Sequence, residues 1–179
     1  MSKKDKKVLV GICGGIACYK AAELVRSLRK QGYSVTCLMT KEAACFITPL
    51  TLQHLSGNKV FIDLFKPAEN IEPAHISLAE WAGKIVIIPA TCHIIAKLAA
   101  GLCDDIVSLT VLSSSAPVLI CPAMHEKMYK KEVTAKNIVV LKKRGFKFVG
   151  PVKGELLNGK KAMGRLENLD IILKRIKSL

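Results

Sequence analysis

The sequence predicts an α/β fold of the doubly wound kind, a parallel sheet with helices on both faces. Two observations carry this. Apolar runs of strand length recur as KKVLVGI, SVTCLMT, KIVIIPA and APVLICPA, and stretches with helical spacing such as AAELVRSLRKQG lie between them. Uninterrupted apolar strands alternating with helices are what a parallel sheet needs, because crossover helices bury both of its faces. A length of 179 residues, half of them hydrophobic and only 5% aromatic, suits a single domain over residues 1–179 with an aliphatic core.

The first unit is the most clearly marked. Val8 to Ile12 reads as a strand, Gly14 and Gly15 as the turn, Ile16 to Lys30 as a helix ended by Gly32, and Ser34 to Met39 as the second strand. Further strands are expected near Lys59 to Ile62, Lys84 to Ile88, Pro117 to Ile120 and Lys147 to Val149, with Pro89 stopping the strand before it. Helices fall between most of them. A Rossmann-like or flavodoxin-like sheet of this kind holds its ligand in a crevice beyond the strand carboxyl ends. Pro151 to Arg165, PVKGELLNGKKAMGR, is rich in Gly and Lys without clear periodicity, and reads as a mobile loop or a substrate-covering flap.

Several function classes are set aside on composition. No run approaches the roughly 18 apolar residues of a membrane span, and MSKKDKK is charged with no secretory segment after it, so a cytoplasmic protein without membrane contact is expected. The seven cysteines are scattered through apolar segments without CxxC pairs, and read as reduced, mostly buried thiols. The four histidines lie far apart, so no structural metal is expected. A net charge of +14 invites nucleic acid as a partner. However, the 15 basic residues between Lys127 and Leu179 are spaced among apolar positions, as on solvated helix faces, and no specific nucleic-acid motif accompanies them.

Three loops carry the chemistry. GICGGIA follows the first strand and opens a helix, so its backbone N–H groups can face an anionic or polar ligand without side-chain obstruction. A turn needing glycine for geometry alone would read the same way. The fingerprint GxGxxG is absent, and the second strand runs into Thr40 where a dinucleotide fold offers a carboxylate to the ribose, so a mononucleotide fits better than NAD. After the next apolar strand, Pro89, Ala90 and Thr91 place small side chains and a hydroxyl at a helix start, and LICPAMHEKMY repeats the Pro-Ala arrangement. His75, in EPAHISLAEWAG, is a candidate general base, and equally fits a residue that caps or precedes a surface helix over which Ile76, Leu78, Ala79 and Trp81 face inward.

Longer motifs resemble a known family over essentially the whole chain. GICGGIACYKAAELVRSLRK looks like the flavin-binding first unit of the homo-oligomeric flavin-containing cysteine decarboxylases, and HISLAEWA is similar to their catalytic histidine motif. PATCHIIAKLAAGLCDDI is similar to PATANTIAKLANGIADDL of the family's coenzyme A branch, and PAMHEKMY to its PAMNxxMW. The resemblance implies FMN as cofactor. It carries flavin contacts onto Gly14, Gly15, Ile16, Ala17, Thr40, Pro89, Ala90, Thr91 and Ser108, and substrate contacts onto Ala123, His125, Met128, Lys160 and Arg165.

The implied reaction is oxidative decarboxylation of a small cysteine-terminated substrate, above all 4′-phospho-N-pantothenoylcysteine to 4′-phosphopantetheine in coenzyme A biosynthesis, by a homotrimer or dodecamer. Oxidation at the substrate's β-carbon gives a thioaldehyde that acts as an electron sink for loss of the carboxylate. His75 would manage a substrate proton, and residue 125 would bind the carboxylate. Three positions depart from the pattern: His93 and His125 stand where the branch has Asn, and Asn158 where it has a proton-donating Cys. An amide has no proton to donate near neutral pH, so the reductive half-reaction is the step affected. Two alternatives stay open beside the coenzyme A enzyme, a peptidyl-cysteine decarboxylase that stops at the enethiol and a flavin-binding regulatory protein without turnover.

Overall fold

The computed structural model describes residues 4–64, 73–155, 159 and 161–179. Six parallel strands form the main sheet in the order β3-β2-β1-β4-β5-β6. They are β1 (Lys7–Ile12), β2 (Ser34–Met39), β3 (Val60–Phe61), β4 (Lys84–Ala90), β5 (Val118–Pro122) and β6 (Lys147–Phe148). Successive side chains of a strand point to opposite faces, and here both faces are covered. Val8, Val10, Ile12, Val86 and Ile88 pack beneath α1 (Cys18–Lys30), α2 (Pro49–Ser56) and α8 (Leu169–Lys177). Leu9, Ile85, Ile87 and Ile120 pack beneath α3 (Ala74–Trp81), α4 (Cys92–Ala100), α5 (Ile106–Ser113) and α7 (Glu132–Lys143). This double burial is why the strands read as continuous apolar runs.

The helix after β1 begins at Cys18, two residues later than its periodicity predicts, because Gly14 to Ala17 stay in the turn. Gly32 follows its end with φ +79, a left-handed conformation that only glycine adopts freely. Pro89 does not stop its strand. It lies inside β4 where pairing with β5 skips from Ile87 to Ala90, a bulge position that tolerates a residue without an N–H. Ile76, expected inward, is 37% exposed, whereas Leu78 and Ala79 are buried.

In place of a mobile loop, the segment from Pro151 to Arg165 contains a second, antiparallel sheet, β7 (Val152–Glu155) with β8 (Lys161–Arg165). Ala162 and Gly164 are its inward-facing residues. Close approach fixes the hairpin against α6 (Glu126–Tyr129): Gly164 accepts a hydrogen bond from Met124 N–H at 3.0 Å, and a Cβ there would run into the Met124 carbonyl oxygen.

Candidate functional site

The strand order reverses between β1 and β4. From β1 the chain winds outward through β2 to β3, and from β4 it winds the other way through β5 to β6. The helix following β1 lies on one face, with Cys18, Leu24 and Leu28 in its core, while the helix following β4 lies on the other, with Ile94, Ile95 and Leu98 in its core. The two connections therefore part above the carboxyl ends of neighbouring strands and leave a crevice between them.

The β1–α1 turn forms one wall. A Cβ on Gly14 would collide with the Cβ and backbone of Glu42, so glycine is needed there for the loop after β2 to pack on the turn. A Cβ on Gly15 would meet only the Thr91 methyl at 4.0 Å, and its bare Cα leaves room for a ligand to approach. Ile16 is 52% exposed, and no side chain caps the N-terminus of α1. Cys18 and Lys20 N–H donate to the Gly15 and Ala17 carbonyls at 3.0 Å, while the N–H groups of Ile16, Ala17 and Tyr19 have no hydrogen-bond partner among the described residues and can face an anion. Thr40 accepts a hydrogen bond from Ala43 N–H at 3.3 Å, and Thr91 caps α4 by accepting one from Ile94 N–H at 3.3 Å. Gly14, Thr40 and Thr91, three of the positions singled out by sequence, line one recess.

Sequence reasoning missed the charged residues around it. Cys13, Glu42, Lys97 and Asp105 line the same recess, and Glu42, His93, Lys97 and Asp105 also border a wider cleft of about 560 Å³ reaching Asp63, Leu64 and Asp104. Lys97 Nζ donates to Asp104 Oδ1 at 2.7 Å and to Asp105 Oδ2 at 2.8 Å. Burial works against the Lys97 charge, but these hydrogen bonds outweigh it and hold the ammonium above its ordinary range. The same contact holds the Asp104 carboxyl below the usual range. Glu42 is held low by its own backbone N–H and by the Thr40 hydroxyl, with Lys97 and His93 adding to the effect. A readable signal existed in KLAAGLCDD: a lysine and an aspartate pair on either side of the helix-ending Gly101.

A second group of residues lies along the next strand end. Ala123 N–H donates to the Ala90 carbonyl at 3.0 Å, which places the loop after β5 beside that of β4. His125 caps α6, its Nδ1 accepting from Lys127 N–H at 3.2 Å. Met128 is 47% exposed on that helix, and Arg165 is exposed at the end of β8. Pro89 and Ala90 are in the buried strand β4, and Ala17 is the residue immediately before α1. Ser108 is fully buried, its hydroxyl donating to the Asp105 carbonyl and its N–H to Asp105 Oδ1, so it stands behind Asp105. His75 is half-buried in the first turn of α3, and its side chain makes no hydrogen bond with another described residue. Asn158 and Lys160 lie outside the described residues.

The Flavoprotein family model matches residues 1–179. The chain belongs to that family. Among curated relatives, this flavoprotein is 44% identical over 173 residues to the coenzyme A biosynthesis bifunctional protein CoaBC of Borreliella burgdorferi, which covers 97% of this chain and 44% of the relative. The chain thus spans less than half of that protein's length. Among solved structures, it is similar to the FMN-dependent cysteine decarboxylase SpaF, with a TM-score of 0.86 at 25% identity covering 99% of this chain and 98% of that one. A PPC decarboxylase mutant complexed with pantothenoylaminoethenethiol shares the fold, with a TM-score of 0.86 at 24% identity and 96% of each chain covered.

Four of the flavoprotein's seven free thiols, Cys13, Cys18, Cys37 and Cys121, are buried, while Cys45 and Cys103 are exposed. Burial pushes the Cys13 and Cys121 thiols up, and that of Cys37 up to about 12, so these three stay protonated at mildly alkaline pH. Alkylation of the native protein followed by peptide mass spectrometry is expected to label Cys45 and Cys103 rapidly and these three only after unfolding. Rapid labelling of Cys13 in the native state would contradict the closed packing of the recess.

Proposed function

We propose that this flavoprotein binds FMN in the crevice between β1 and β4 and serves the decarboxylation of a cysteine-terminated substrate, with 4′-phospho-N-pantothenoylcysteine as the substrate and coenzyme A synthesis in the cytoplasm as its setting. The single observation that carries this is the uncapped, glycine-lined turn at the strand-order reversal, in a chain of the flavoprotein family. The residues present suit a mononucleotide. The N–H groups of Ile16, Ala17 and Tyr19, without partners among the described residues, suit its phosphate, and Thr40 at the end of β2 offers no carboxylate clamp for a dinucleotide ribose. A cleft of about 560 Å³ falls within the range of roughly 300–1,000 Å³ usual for small-ligand sites. Gly14, Gly15, Ile16, Ala17, Thr40, Ala90 and Thr91 would hold the group, with Pro89 and Ser108 supporting them from within the fold. CoaBC relatives and structural neighbours named as cysteine decarboxylases favour the reaction class.

Bound FMN would supply a two-electron acceptor beside the substrate. His75 would hold the proton of the substrate thiol, and no other described residue engages either of its ring nitrogens. His125 takes a definite tautomer, because Nδ1 accepts from Lys127 N–H and the proton of the neutral ring is then on Nε2. That N–H can donate to the substrate carboxylate without a charge on the ring, so replacing the branch's Asn by His keeps a donor. Met128, Ala123 and Arg165 would flank the substrate, and the hairpin between β7 and β8, with Lys160 in its sequence, would be the flap over it. Asn158 has no proton to deliver there, which favours release of an enethiol, the product that a peptidyl-cysteine decarboxylase would also give.

We also propose assembly as a homotrimer or dodecamer. Ile16, Tyr19, Phe46 and Leu50 are each more than half exposed on the crevice turn, α1, the segment leading into α2 and the first turn of α2, an apolar surface suited to a neighbouring copy. Light scattering on the flavin-loaded protein should give three or twelve chains. A monomer at micromolar concentration contradicts the assembly.

The direct test of the reaction is an anaerobic incubation with phosphopantothenoylcysteine, read by flavin absorbance and product mass. The wild type should bleach the flavin and release carbon dioxide, and His75→Asn should retain FMN while losing turnover by at least about a hundredfold, the usual scale for a proton-transfer group. Equal turnover in the variant would remove His75 from the mechanism. Absence of flavin reduction by any cysteine substrate would instead favour a regulatory flavin binder.

A further inference from the structure

The cleft is acidic in a strongly basic protein. Among the described residues, Glu42, Asp63, Asp104 and Asp105 border it against Lys41 and Lys97, although the chain as a whole carries +14. Such a cleft opposes an anionic ligand unless its carboxylates are compensated at close range. Among the described residues, Lys97 is the cation paired with two of these carboxylates. Lys97 lies one helical turn beyond His93 on α4, its side chain is 12% exposed, and its ammonium is shared between Asp104 and Asp105.

The geometry of that contact follows from the backbone. Gly101 ends α4 with φ +77, and the chain then turns so that Asp105 can cap α5. Asp105 Oδ1 accepts from Ser108 N–H at 2.8 Å and its Oδ2 from Lys97, so both oxygens are engaged. Asp104 is held less firmly: its side chain is 67% exposed, and Lys97 is the ion-pair partner that draws it inward. Without the ammonium, the charges of Glu42, Asp104 and Asp105 would stand together where the recess meets the cleft, in surroundings that screen them less than bulk water does.

We infer that Lys97 sets the charge selectivity of the cleft, acting as a positioning and compensating residue that lets this acidic site accept a phosphorylated flavin. The inference rests on the proposed FMN binding and goes beyond it, because it separates the phosphate from the ring system. Riboflavin has the same isoalloxazine and ribityl chain and no charge. Loss of Lys97 should therefore weaken FMN far more than riboflavin. A residue that merely shaped the loop would weaken both alike.

The test is a fluorescence titration of the apoprotein with FMN and, separately, with riboflavin, at low and high salt. Lys97→Met should lower FMN affinity about tenfold or more relative to riboflavin, Lys97→Arg should keep the wild-type ratio, and high salt should narrow the gap opened by Lys97→Met. Asp104→Asn supplies a variant whose exposed position does not threaten folding, and it should tighten FMN by several-fold while leaving riboflavin unchanged. Equal losses for the two flavins in Lys97→Met, or an Asp104→Asn protein with unaltered FMN affinity, would overturn the inference while leaving FMN binding intact. A wild type that binds neither flavin would overturn the FMN reading and this inference with it.

Discussion

The site depends on one topological constraint, the reversal of strand order between β1 and β4. Two parallel strands that are neighbours in the sheet send their following helices to opposite faces, and no backbone can fill the gap above them. Every feature of the crevice is arranged around that gap. Gly14 lets the loop after β2 seat against the turn, Gly15 keeps the adjacent space clear, and Thr91 starts the helix on the far side. The buried strands beneath, with Val10, Ile12, Ile87 and Ile88 fully enclosed, hold these loops on a close-packed base.

Charge is distributed along the same axis. In a parallel α/β sheet the helices end at the pole opposite the crevice, where their carbonyl groups favour cations. Lys84, 5% exposed, donates to the Ile176 carbonyl at 2.8 Å at the end of α8, and Arg144 donates to the Ala99 carbonyl at 2.9 Å at the end of α4. Arg29, Lys30, Lys142 and Lys143 occupy last turns of other helices. Part of the large positive charge thus serves helix ends, and it leaves the crevice mouth to carboxylates. The basic composition taken by itself says little about the ligand.

Most of the sheet was legible because double burial writes itself as apolar runs, and the β1–turn–α1 unit because glycines mark its turn. The local exceptions have physical reasons. Pro89 reads as a stop in isolation, but a bulge opposite β5 removes the need for its N–H. The segment around Gly154 and Gly164 lacks an apolar stripe, since the hairpin there is specified by close backbone approach and small residues rather than by hydrophobic alternation. At the site, the glycine and threonine positions could be read from motif and turn chemistry. Lys97 and Asp105 were overlooked because the one signal they leave, a lysine and an aspartate pair on either side of a helix-ending glycine, gains its meaning only from the contact across that helix end. Ser108, carried over by resemblance, proves to be a buried partner of Asp105.

Backbone amide shifts in a TROSY titration with FMN test the central claim most directly, because they report where the flavin sits independently of turnover. Binding in the crevice predicts that the largest changes fall on Gly14 to Ala17 and on Thr91 to His93, with Lys84 and Lys147 at the opposite pole unmoved. Saturable FMN binding that leaves Gly14 to Ala17 unshifted and moves the strand amino ends or the β7–β8 hairpin instead would contradict it.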